Sequence, residues 1–594
     1  MARLLAASIL TAACSFAQTG QAIAKPYYSE LINRGVVTGA YFAEVAHGEV
    51  VETSTFGMAQ TGSLWRGAST SKALTAVGVM RLVERGQFDM DVDVNQYLKT
   101  WKVPATRSKP ITLRNLLTHT SGLDDPFVGS GFLAVSGEQG PLANVMRSWL
   151  PSRLYEPGEV RLYSNFGYGL VGAVIEGVTG KRYEEFMRSD VLEPLGMNHS
   201  TFRQPLPREV EQEFVPSLER SVFGFTSRAE IIYHRASSGG GLTTTLADLI
   251  RFVRFVQNGG AIDGRRILRS ETLNRILGES GVGSAGESES YGFSKGINRG
   301  QKYSYAGGDL GGYHTILLWF PDRDRALITM AASTSNVATW NLVPGVMQSW
   351  FGVNQKAAAV PVRATPNAME FAARVAGIYR PVRYPHHDIG KTFLVSMDQS
   401  VEANDDGSIE YAGERWIAVE RLRFRNVSDA RELTFQEDTN RQIRFMNRES
   451  ERIRWYESGR AAIACYFCFL VVSALILWRK RNHGKTQGIR WMAAAILIHS
   501  ISWLGAVLVA DPQRVILGSP WYLTVALGVG TLVPLVWLCL AASTCRGLFN
   551  RTYAPAHPVS AVLITLVLGL YLPFISYWQL TALPIFTAFL RHRW

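Results

Sequence analysis

A serine and a lysine three residues apart carry the first chemistry in this sequence. Ser69 and Lys72 lie in the stretch GASTSKALTAVGVM, which begins at Gly67. Apolar residues follow at helical intervals, so this turn is predicted to begin a buried helix. A spacing of three places the hydroxyl and the amine on one helix face, within reach of each other. The pair suits a nucleophile beside a base, although the same spacing also arises by chance.

A tyrosine and an asparagine further along would complete such a site. Tyr163 and Asn165 lie in the stretch YSN, after a turn at Pro157-Gly158 and before an apolar helical run. A phenol ordinarily titrates at about pH 10, but a neighbouring ammonium favours its anionic form. Two readings stay open: Lys72 helps Tyr163 to act as the base, or Lys72 is uncharged and takes the proton itself.

Glycines mark a third stretch with a chemical use. The sequence YAGGDLGGYHT contains Gly307, Gly308, Gly311 and Gly312 beside an apolar strand. Glycine allows the backbone to approach a ligand closely. A backbone N–H group on this strand, opposite the N–H group of Ser69, would form an oxyanion hole with two donors.

The surrounding sequence predicts the elements that position these stretches. Residues 39–57 predict two strands, helical patterns dominate to about residue 260, and strands return in YHTILLWFPDRDRALITMAAS. Strands at both ends of a helical middle predict one antiparallel sheet with helices packed against it, an α+β fold. Residues 353–367 are predicted to form a linker. Residues 368–457 alternate apolar and polar side chains, which predicts a small all-β domain, a barrel or a curved sheet.

Both ends of the sequence indicate export and a membrane. Residues 1–24 predict a secretory signal peptide, with a lipoprotein cleavage site at Cys14 as the alternative. The region 461–590 is predicted to hold about four membrane-spanning helices, which are 461–478, 491–510, 521–543 and 558–578. The basic loop RKRNHGKTQGIR between the first two predicts that this loop is cytoplasmic and that residues 25–455 lie outside. With four spans, however, the basic C-terminal end RHRW would also lie outside, which conflicts with the preference of basic residues for the cytoplasmic side.

Charge and cysteine use exclude other classes of function. The 594 residues carry a net charge of +12, which is scattered apart from the loops between apolar helices. No basic stripe interleaved with aromatic residues is present, so nucleic-acid binding is not expected. The predicted exported part contains no cysteine and therefore neither a disulfide nor a cysteine metal site.

The residues of these motifs and their order along the chain resemble those of the class C β-lactamase-related serine hydrolases, within the superfamily of serine β-lactamases and penicillin-binding proteins. The resemblance covers roughly residues 30–350. Its motifs are GASTSK, LLTHTSGLDD, YSNFGYGLVG, SSGGGLTTTLADLIRFVRF, YGFSKG and YAGGDLGGYHT. It implies a β-lactamase/transpeptidase-like fold over residues 25–352, in which helices flank an antiparallel sheet and form a helical lobe.

The resemblance also implies a mechanism. Ser69 would attack a carbonyl carbon and form an acyl-enzyme, and Lys72 and Tyr163 would share the proton transfers. Asn165 would hold Lys72 or the substrate amide, and the backbone N–H groups of Ser69 and Gly308 would bind the oxyanion. Neither a metal nor an organic cofactor is expected.

Substrate binding departs from the family pattern at one position. The resemblance implies that Tyr305, Gly307 and Gly308 line the substrate site, but the third motif of the family commonly begins with Lys or His. A cation there helps to bind a substrate carboxylate, and Tyr305 carries no positive charge near neutral pH. This favours an esterase or an amidase/peptidase over a β-lactamase or a D,D-carboxypeptidase.

Histidines are not expected to carry the reaction. The resemblance implies that His119 is a structural loop residue rather than the base of a catalytic triad. His314 follows the glycines, and a position lining the site is the less favoured interpretation for it. The adjacent His386, His387 and Asp388 predict a solvated loop, because three neighbouring residues do not easily face one metal ion. His499, inside a predicted span, is expected to form a hydrogen bond between helices.

The expected protein is a serine hydrolase anchored in a bacterial cytoplasmic membrane, with its catalytic domain on the periplasmic or extracellular side. Its expected partners are the lipid bilayer and a small-molecule or peptide acyl substrate, including those derived from the cell wall. Three alternatives remain: a β-lactam-binding or β-lactam-hydrolysing protein, a ligand sensor without turnover, and a wall-binding protein with an inactive site. The intact set of Ser69, Lys72, Tyr163 and Asn165 argues against the last.

Overall fold

The computed structural model consists of a sheet-and-helix domain, a barrel and a set of apolar helices. It describes residues 20–125, 132–133, 140–221, 224–228, 233–278, 287–298, 301–352, 364–384, 386, 397–427, 431–437, 442–446, 449–478, 487–509, 521–549 and 557–577. Most of the predicted signal peptide and of the predicted linker lies outside these ranges. The same holds for the predicted cytoplasmic loop and the basic C-terminus.

An antiparallel sheet forms the centre of the first domain. The strands of this domain are β1 (Val37–Ala46), β2 (Glu49–Gly57), β3 (Trp65–Ala68), β4 (Phe132–Leu133), β5 (Ser217–Ser221), β6 (Gly224–Arg228), β7 (Tyr233–His234), β8 (Leu242–Thr244), β9 (Ala261–Ile262), β10 (Arg265–Arg266), β11 (Glu287–Glu289), β12 (Ser294–Asn298), β13 (Gln301–Leu310), β14 (Tyr313–Phe320) and β15 (Arg325–Ser333). Seven of them form the central sheet in the order β11-β12-β13-β14-β15-β1-β2. Because β1 lies between β15 and β2, strands from both ends of the domain pair as predicted.

Twelve described α-helices accompany this sheet, and some of them pack on each of its faces. They are α1 (Gly20–Asn33), α2 (Ser71–Glu84), α3 (Leu113–Leu117), α4 (Leu142–Ser148), α5 (Asn165–Thr179), α6 (Tyr183–Met187), α7 (Glu193–Leu195), α8 (Ser237–Gly240), α9 (Leu246–Gln257), α10 (Ser270–Gly278), α11 (Val337–Trp340) and α12 (Val343–Phe351). Tyr41 and Leu317 face a buried cluster that includes α2 and α5. Phe42 and Ile316 face a second cluster with α1, α11 and α12. Neighbouring strand residues point to opposite faces, which explains this division.

A closed eight-stranded barrel follows the first domain and confirms the predicted all-β fold. A short helix, α13 (Ala368–Val375), precedes it and packs against its core. The barrel strands are β16 (Gly377–Pro381), β17 (Gln399–Ala403), β18 (Ser408–Tyr411), β19 (Glu414–Glu420), β20 (Arg423–Asn426), β21 (Glu432–Glu437), β22 (Ile443–Phe445) and β23 (Ser450–Ile453). Pairing of β16 with β23 closes the barrel. Buried aromatic residues, among them Phe424, Phe435 and Phe445, fill its interior.

Apolar helices form the last described region. They are α14 (Gly459–Trp478), α15 (Gln487–Val509), α16 (Trp521–Phe549), α17 (His557–Gly569) and α18 (Tyr571–Tyr577). The first three are long and apolar enough to cross a membrane. Large apolar side chains such as Val471 and Leu535 remain exposed along them, as expected for helices that contact lipid.

The fourth predicted span, 558–578, is divided into two shorter helices. The 13 residues of α17 extend for about 20 Å, which is less than the roughly 30 Å of a hydrocarbon core. Pro573 has no N–H group for the carbonyl of Gly569, four residues earlier, so the regular helical hydrogen bonds are interrupted at this point.

Candidate active site

Ser69 lies between the end of a strand and the beginning of a helix. β3 ends at Ala68, and α2 begins at Ser71. Ala68 has a φ of 45°, a left-handed conformation that costs a non-glycine residue about 1–2 kcal/mol. The side chain of Ser71 holds this turn, since it accepts a hydrogen bond from the N–H group of Leu242 at 3.0 Å and donates one to the carbonyl of Ala68 at 2.5 Å. Tertiary contacts thus stabilise a strained turn that carries Ser69.

Lys72 is buried next to Ser69 and has three hydrogen-bond acceptors. Its Nζ lies 3.0 Å from Ser69 Oγ, 2.9 Å from Asn165 Oδ1 and 2.5 Å from the carbonyl oxygen of Gly239. Its relative exposure is 2%. An ammonium group has three N–H donors, so each of them has a partner here. These contacts offset the cost of burying the lysine.

Tyr163 completes the group. Its hydroxyl oxygen lies 2.7 Å from Ser69 Oγ, and Lys72 Nζ lies 4.8 Å from the centre of its ring. The residue after it, Ser164, caps helix α5 by accepting a hydrogen bond from the N–H group of Gly167 at 3.0 Å. The cap fixes where the extended segment ends and so directs Tyr163 toward Ser69.

Two proton arrangements satisfy these contacts. If Lys72 is charged, Nζ donates to all three acceptors and the hydroxyl of Ser69 donates to Tyr163. If Lys72 is uncharged, Nζ donates to Asn165 and Gly239 and accepts the proton of Ser69, while Tyr163 donates to Ser69. The positions of the heavy atoms are compatible with both readings of the sequence.

Asn165 is held in place by a carboxylate, Asp125. Asp125 Oδ1 accepts a hydrogen bond from the backbone N–H group of Asn165 at 2.8 Å, and its Oδ2 accepts one from Asn165 Nδ2 at 3.2 Å. The side-chain amide is therefore oriented with its oxygen toward Lys72. A carboxylate at the first residue of α5 is also favourable for the helix dipole.

Strand β13 passes beside the turn of Ser69 at Gly308. A side chain at this position would collide with the carbonyl oxygen of Gly67 and lie 2.9 Å from the backbone nitrogen of Ser69. Only glycine permits this approach.

The hairpin between β13 and β14 determines the direction of each N–H group in β13. Gly311 and Gly312, with φ of 57° and 85°, form its two-residue turn, so Leu310 and Tyr313 are a hydrogen-bonded pair. Because this pattern alternates, the N–H group of Gly308 also points to β14.

The N–H group of Asp309 points to the opposite edge of β13. Strand β12 pairs with β13 only as far as Tyr305, so this edge is open beside Ser69. The backbone donor that faces the site is therefore that of Asp309 and not that of Gly308, which corrects the expected position of the second oxyanion donor. The sequence alone did not show which N–H groups of β13 point to β14 and which point to the open edge.

Tyr305 and Gly307 lie on the face of β13 that points away from Ser69. The ring of Tyr305 packs against Trp340 of α11, with ring centres 5.4 Å apart, and belongs to the cluster of α1, α11 and α12. Ala306 instead shares the face of Gly308 and is buried in the other cluster. The structure thus does not bring the Tyr305 side chain to Ser69, because strand residues alternate between faces.

His119 lies against Tyr163. The two rings are stacked with centres 4.2 Å apart, and His119 Nδ1 accepts a hydrogen bond from the N–H group of Ser164 at 3.1 Å. Burial, reinforced by the positive charges of Lys72, Arg161 and Arg383, holds the pKa of His119 well below its ordinary value. A neutral ring that supports Tyr163 agrees with the expected structural role.

A comparison with protein families identifies the first domain. Residues 24–342, more than half of the chain, match the family model described as Beta-lactamase. The chain belongs to the Beta-lactamase family. The resemblance inferred from the motifs is confirmed, and with it the β-lactamase/transpeptidase-like fold. This Beta-lactamase-family chain is thereby placed among serine hydrolases and penicillin-binding-protein homologues.

Individual relatives are distant from this Beta-lactamase-family chain. It is 24% identical over 310 residues to "Protein flp" of Staphylococcus aureus (strain N315), with 50% of this chain and 60% of that protein covered. It is 26% identical over 315 residues to "Penicillin-binding protein 4*" of Bacillus subtilis (strain 168), with 48% and 66% covered. The chain thus spans less than two thirds of the length of these relatives.

Solved structures similar to this chain are also distant from it. The octameric penicillin-binding protein homologue from Pyrococcus abyssi has a TM-score of 0.47 and 20% identity, and SurE has a TM-score of 0.49 and 21% identity. Each comparison covers 73% of this chain and 99% of the other. At these values it is the family model that carries the assignment.

The other histidines singled out in the sequence have different surroundings. His314 is buried between Asp309 Oδ1, at 2.7 Å from Nδ1, and the carbonyl oxygen of Ser333, at 2.9 Å from Nε2, on the face of β14 that points away from Ser69. His386 stacks on Tyr384, whereas His387 and Asp388 lie outside the described residues. His499 Nδ1 lies 2.8 Å from the hydroxyl oxygen of Tyr571 in another apolar helix, in line with the expected interhelical hydrogen bond.

Sequence reasoning missed several groups at this site. Asp125 and Gly239 lie in motifs that carried the family resemblance, LLTHTSGLDD and SSGGGL, but neither was given a role. Their position within those motifs was a usable signal. Arg383 lies in the segment leading from β16, and no local pattern marked it.

Proposed function

We propose that this Beta-lactamase-family protein is a membrane-anchored serine hydrolase that cleaves an ester or an amide through an acyl-enzyme. One observation supports this above all others. The hydroxyl of Ser69 lies 2.7 Å from the hydroxyl of Tyr163 and 3.0 Å from Lys72 Nζ, which is the separation that proton transfer requires.

Acylation begins with the removal of a proton from Ser69. Tyr163 receives this proton while Lys72, held by Asn165 and Gly239, keeps its positive charge beside the phenolate. Ser69 Oγ then bonds to the substrate carbonyl carbon. The backbone N–H groups of Ser69 and Asp309 stabilise the resulting oxyanion.

The same groups complete the acylation and then carry out the deacylation that releases the product. Tyr163 passes its proton to the leaving alcohol or amine, which departs and leaves the acyl group on Ser69. A water molecule then gives a proton to Tyr163 and attacks the acyl carbon. Return of that proton to Ser69 regenerates the enzyme and releases the acid.

The favoured substrates are simple esters and amides or peptides. In β13 the site-facing residue before Gly308 is Ala306, so this strand provides no cation for a substrate carboxylate. The second candidate function is penicillin binding or β-lactam hydrolysis, and the name of the Bacillus subtilis relative supports it. The third is a sensor, in which the acyl-enzyme would be stable.

The proposed location is the bacterial cytoplasmic membrane, with the hydrolase domain on the periplasmic or extracellular side. The three apolar helices support anchoring, and the densely basic segment 479–486 supports a cytoplasmic loop after the first of them. If the proposal holds, protease added to intact spheroplasts digests the hydrolase domain. Full protection of that domain would contradict the proposed side.

The decisive experiment combines labelling and turnover in the full-length, detergent-solubilised protein. A fluorophosphonate probe should label the wild type and the surface control Ser148→Ala, but not Ser69→Ala. Hydrolysis of p-nitrophenyl butyrate should follow the same pattern. Labelling of Ser69→Ala would remove Ser69 from the mechanism. A stable acyl adduct without turnover would favour the sensor, and faster cleavage of a β-lactam than of any ester would favour the second candidate.

A further inference from the structure

The barrel contacts the first domain at the segment that leads into Tyr163. Val160 and Leu162 of this segment pack with Val382, which follows β16, and all three are buried. The apolar contact holds the barrel close to the site.

Two ion pairs reinforce this contact. Arg161 pairs with Glu449 of the barrel, and Arg444 of the barrel lies 3.2 Å from Glu159. Both partners from the first domain precede Tyr163 by only a few residues. Docking of the barrel and the position of Tyr163 are therefore physically linked.

Arg383 extends from this junction to Tyr163 itself. Its guanidinium carbon lies 4.2 Å from the centre of the Tyr163 ring, and its Nη2 lies 3.2 Å from Oδ2 of Asp125. The planar guanidinium group stacks well on aromatic rings and attracts their negative face. One side chain of the barrel thus contacts both the phenol and the carboxylate that orients Asn165.

The charges around Tyr163 are mostly positive. Lys72 and Arg383 lie against its ring, and the stacked His119 is neutral because its pKa is held low. Arg161, two residues earlier, is paired with Glu449, and Asp125 is shared between Asn165 and Arg383. The side chain of Arg383 is half exposed and lies at the rim of the site. A cation at this distance stabilises an anionic neighbour more strongly than it would in bulk water.

We propose that Arg383 is a positioning residue through which the barrel completes the active site, fixing the ring of Tyr163 and stabilising its anionic form. The inference rests on the proposed role of Tyr163 as proton acceptor. It makes the barrel a working part of the hydrolase rather than an independent appended module. Arg383 acts through Tyr163 and not on the substrate.

The test is the pH profile of kcat/KM for p-nitrophenyl butyrate with the full-length protein. Removal of a cation disfavours the anionic base, so Arg383→Gln should move the acidic limb to higher pH by about one unit, with about a tenfold loss of kcat/KM below it. Arg383→Lys should recover part of this shift. The matched control is Arg431→Gln, because Arg431 of the barrel is about as exposed as Arg383, pairs with a carboxylate, that of Glu414, and lies over an aromatic ring, that of Trp416. Its profile should equal that of the wild type.

A second measurement separates an effect through Tyr163 from general damage. In a Tyr163→Phe background, Arg383→Gln should cause no further loss in the rate of fluorophosphonate labelling of Ser69. An equal loss in both backgrounds would overturn the proposal. Thermal midpoints of all variants identify any that fail to fold, in which case Arg383→Lys carries the comparison.

Other outcomes also decide the question. An unchanged pH profile in folded Arg383→Gln would overturn the proposal, as would a rise in KM confined to esters that bear a carboxylate, since Arg383 would then bind substrate. Absence of labelling and turnover in the wild type would instead overturn the proposed hydrolase function. The two failures are therefore distinguishable.

Discussion

The hydroxyl oxygen of Tyr163 lies 2.7 Å from that of Ser69, although the two residues are 94 positions apart in the chain. Each is fixed by its own local structure, Ser69 by the strained turn after Ala68 and Tyr163 by the capped start of α5. Their meeting places the proposed nucleophile and the proposed proton acceptor in direct contact, with the buried Lys72 at 3.0 Å from Ser69 Oγ.

Loss of the phenol hydroxyl should remove activity without removing the fold. Tyr163→Phe keeps the ring stacked on His119 but cannot accept a proton, so kcat/KM for p-nitrophenyl butyrate should fall by about 10²–10⁴-fold. The thermal midpoint should fall by less than about 4 °C, because one hydrogen bond contributes about 1 kcal/mol. Tyr411→Phe, which loses a hydrogen bond to Gln399 in the barrel, is the matched control. Near-normal kcat/KM in Tyr163→Phe would show that Lys72 is the base.

A side chain at Gly308 should disturb the site at the point where β13 passes Ser69. In Gly308→Ala the new methyl group would meet the backbone at Gly67 and Ser69, which must displace β13 and the N–H group of Asp309. Loss of an oxyanion donor lowers kcat by about 10²–10³-fold. Gly140→Ala, where nothing lies within 4 Å of the added atom, should retain activity. Wild-type kcat in Gly308→Ala would contradict the close approach of β13 to Ser69.

Asp125 should matter for catalysis although it touches neither Ser69 nor Tyr163 in the described contacts. Asp125→Ala removes the acceptor for both amide groups of Asn165 and frees its side chain to rotate away from Lys72. Without this acceptor, keeping the side chain of Asn165 in the orientation that holds Lys72 costs about 1–3 kcal/mol, so kcat/KM should fall by about 5–150-fold. The exposed Asp91, which pairs with Arg114, provides the control Asp91→Ala. Equal activities of the two variants would exclude a role for Asp125 in orienting Asn165.

The depressed pKa of His119 predicts that stability declines in acid. In the unfolded chain His119 titrates at its ordinary value of about 6.5, whereas in the folded protein its pKa lies well below this. Between these two values the unfolded state binds the extra proton, so the stability contributed by neutral His119 falls as the pH drops below about 6.5, by up to about 1.4 kcal/mol per pH unit.

Thermal midpoints measured from pH 5 to pH 8 test this expectation. His119→Asn keeps an acceptor for Ser164 but does not titrate, so the advantage of the wild type over this variant should shrink as the pH falls. His47→Asn, on the surface, is the control. A difference between wild type and His119→Asn that is constant with pH would show that His119 is not buried in its neutral form.

Much of the candidate site could be predicted from short stretches of sequence, because helix spacing and turn residues determine the geometry of a few neighbouring residues. The spacing of Ser69 and Lys72 places both residues on one helix face. The turn before the apolar run of α5 indicates that Tyr163 projects from a loop at the start of this helix. Alternation of apolar and polar residues indicated the barrel. Apolar length indicated the three helices that are long enough to cross a membrane, whereas the fourth predicted span is divided where Pro573 interrupts the hydrogen bonds.

Groups that depend on strand register were placed less well. Tyr305 was expected in the site, but it lies an odd number of positions from Gly308 and therefore faces the other side of the sheet. The backbone N–H group of β13 that faces the site likewise belongs to Asp309 and not, as expected, to Gly308. A shift of one position reverses both the face of a side chain and the edge to which an N–H group points.

The sequence by itself determined which residues are the candidates for catalysis, namely Ser69, Lys72 and Tyr163, because helix periodicity, turn residues and caps act over a few positions. Only the tertiary structure decided that they meet, that Asp125 and Gly239 hold their partners, and that Arg383 reaches Tyr163 from the barrel. The physical reason is that such contacts arise from the packing of surfaces far apart in the chain, and no short stretch of sequence records which surfaces will be buried together.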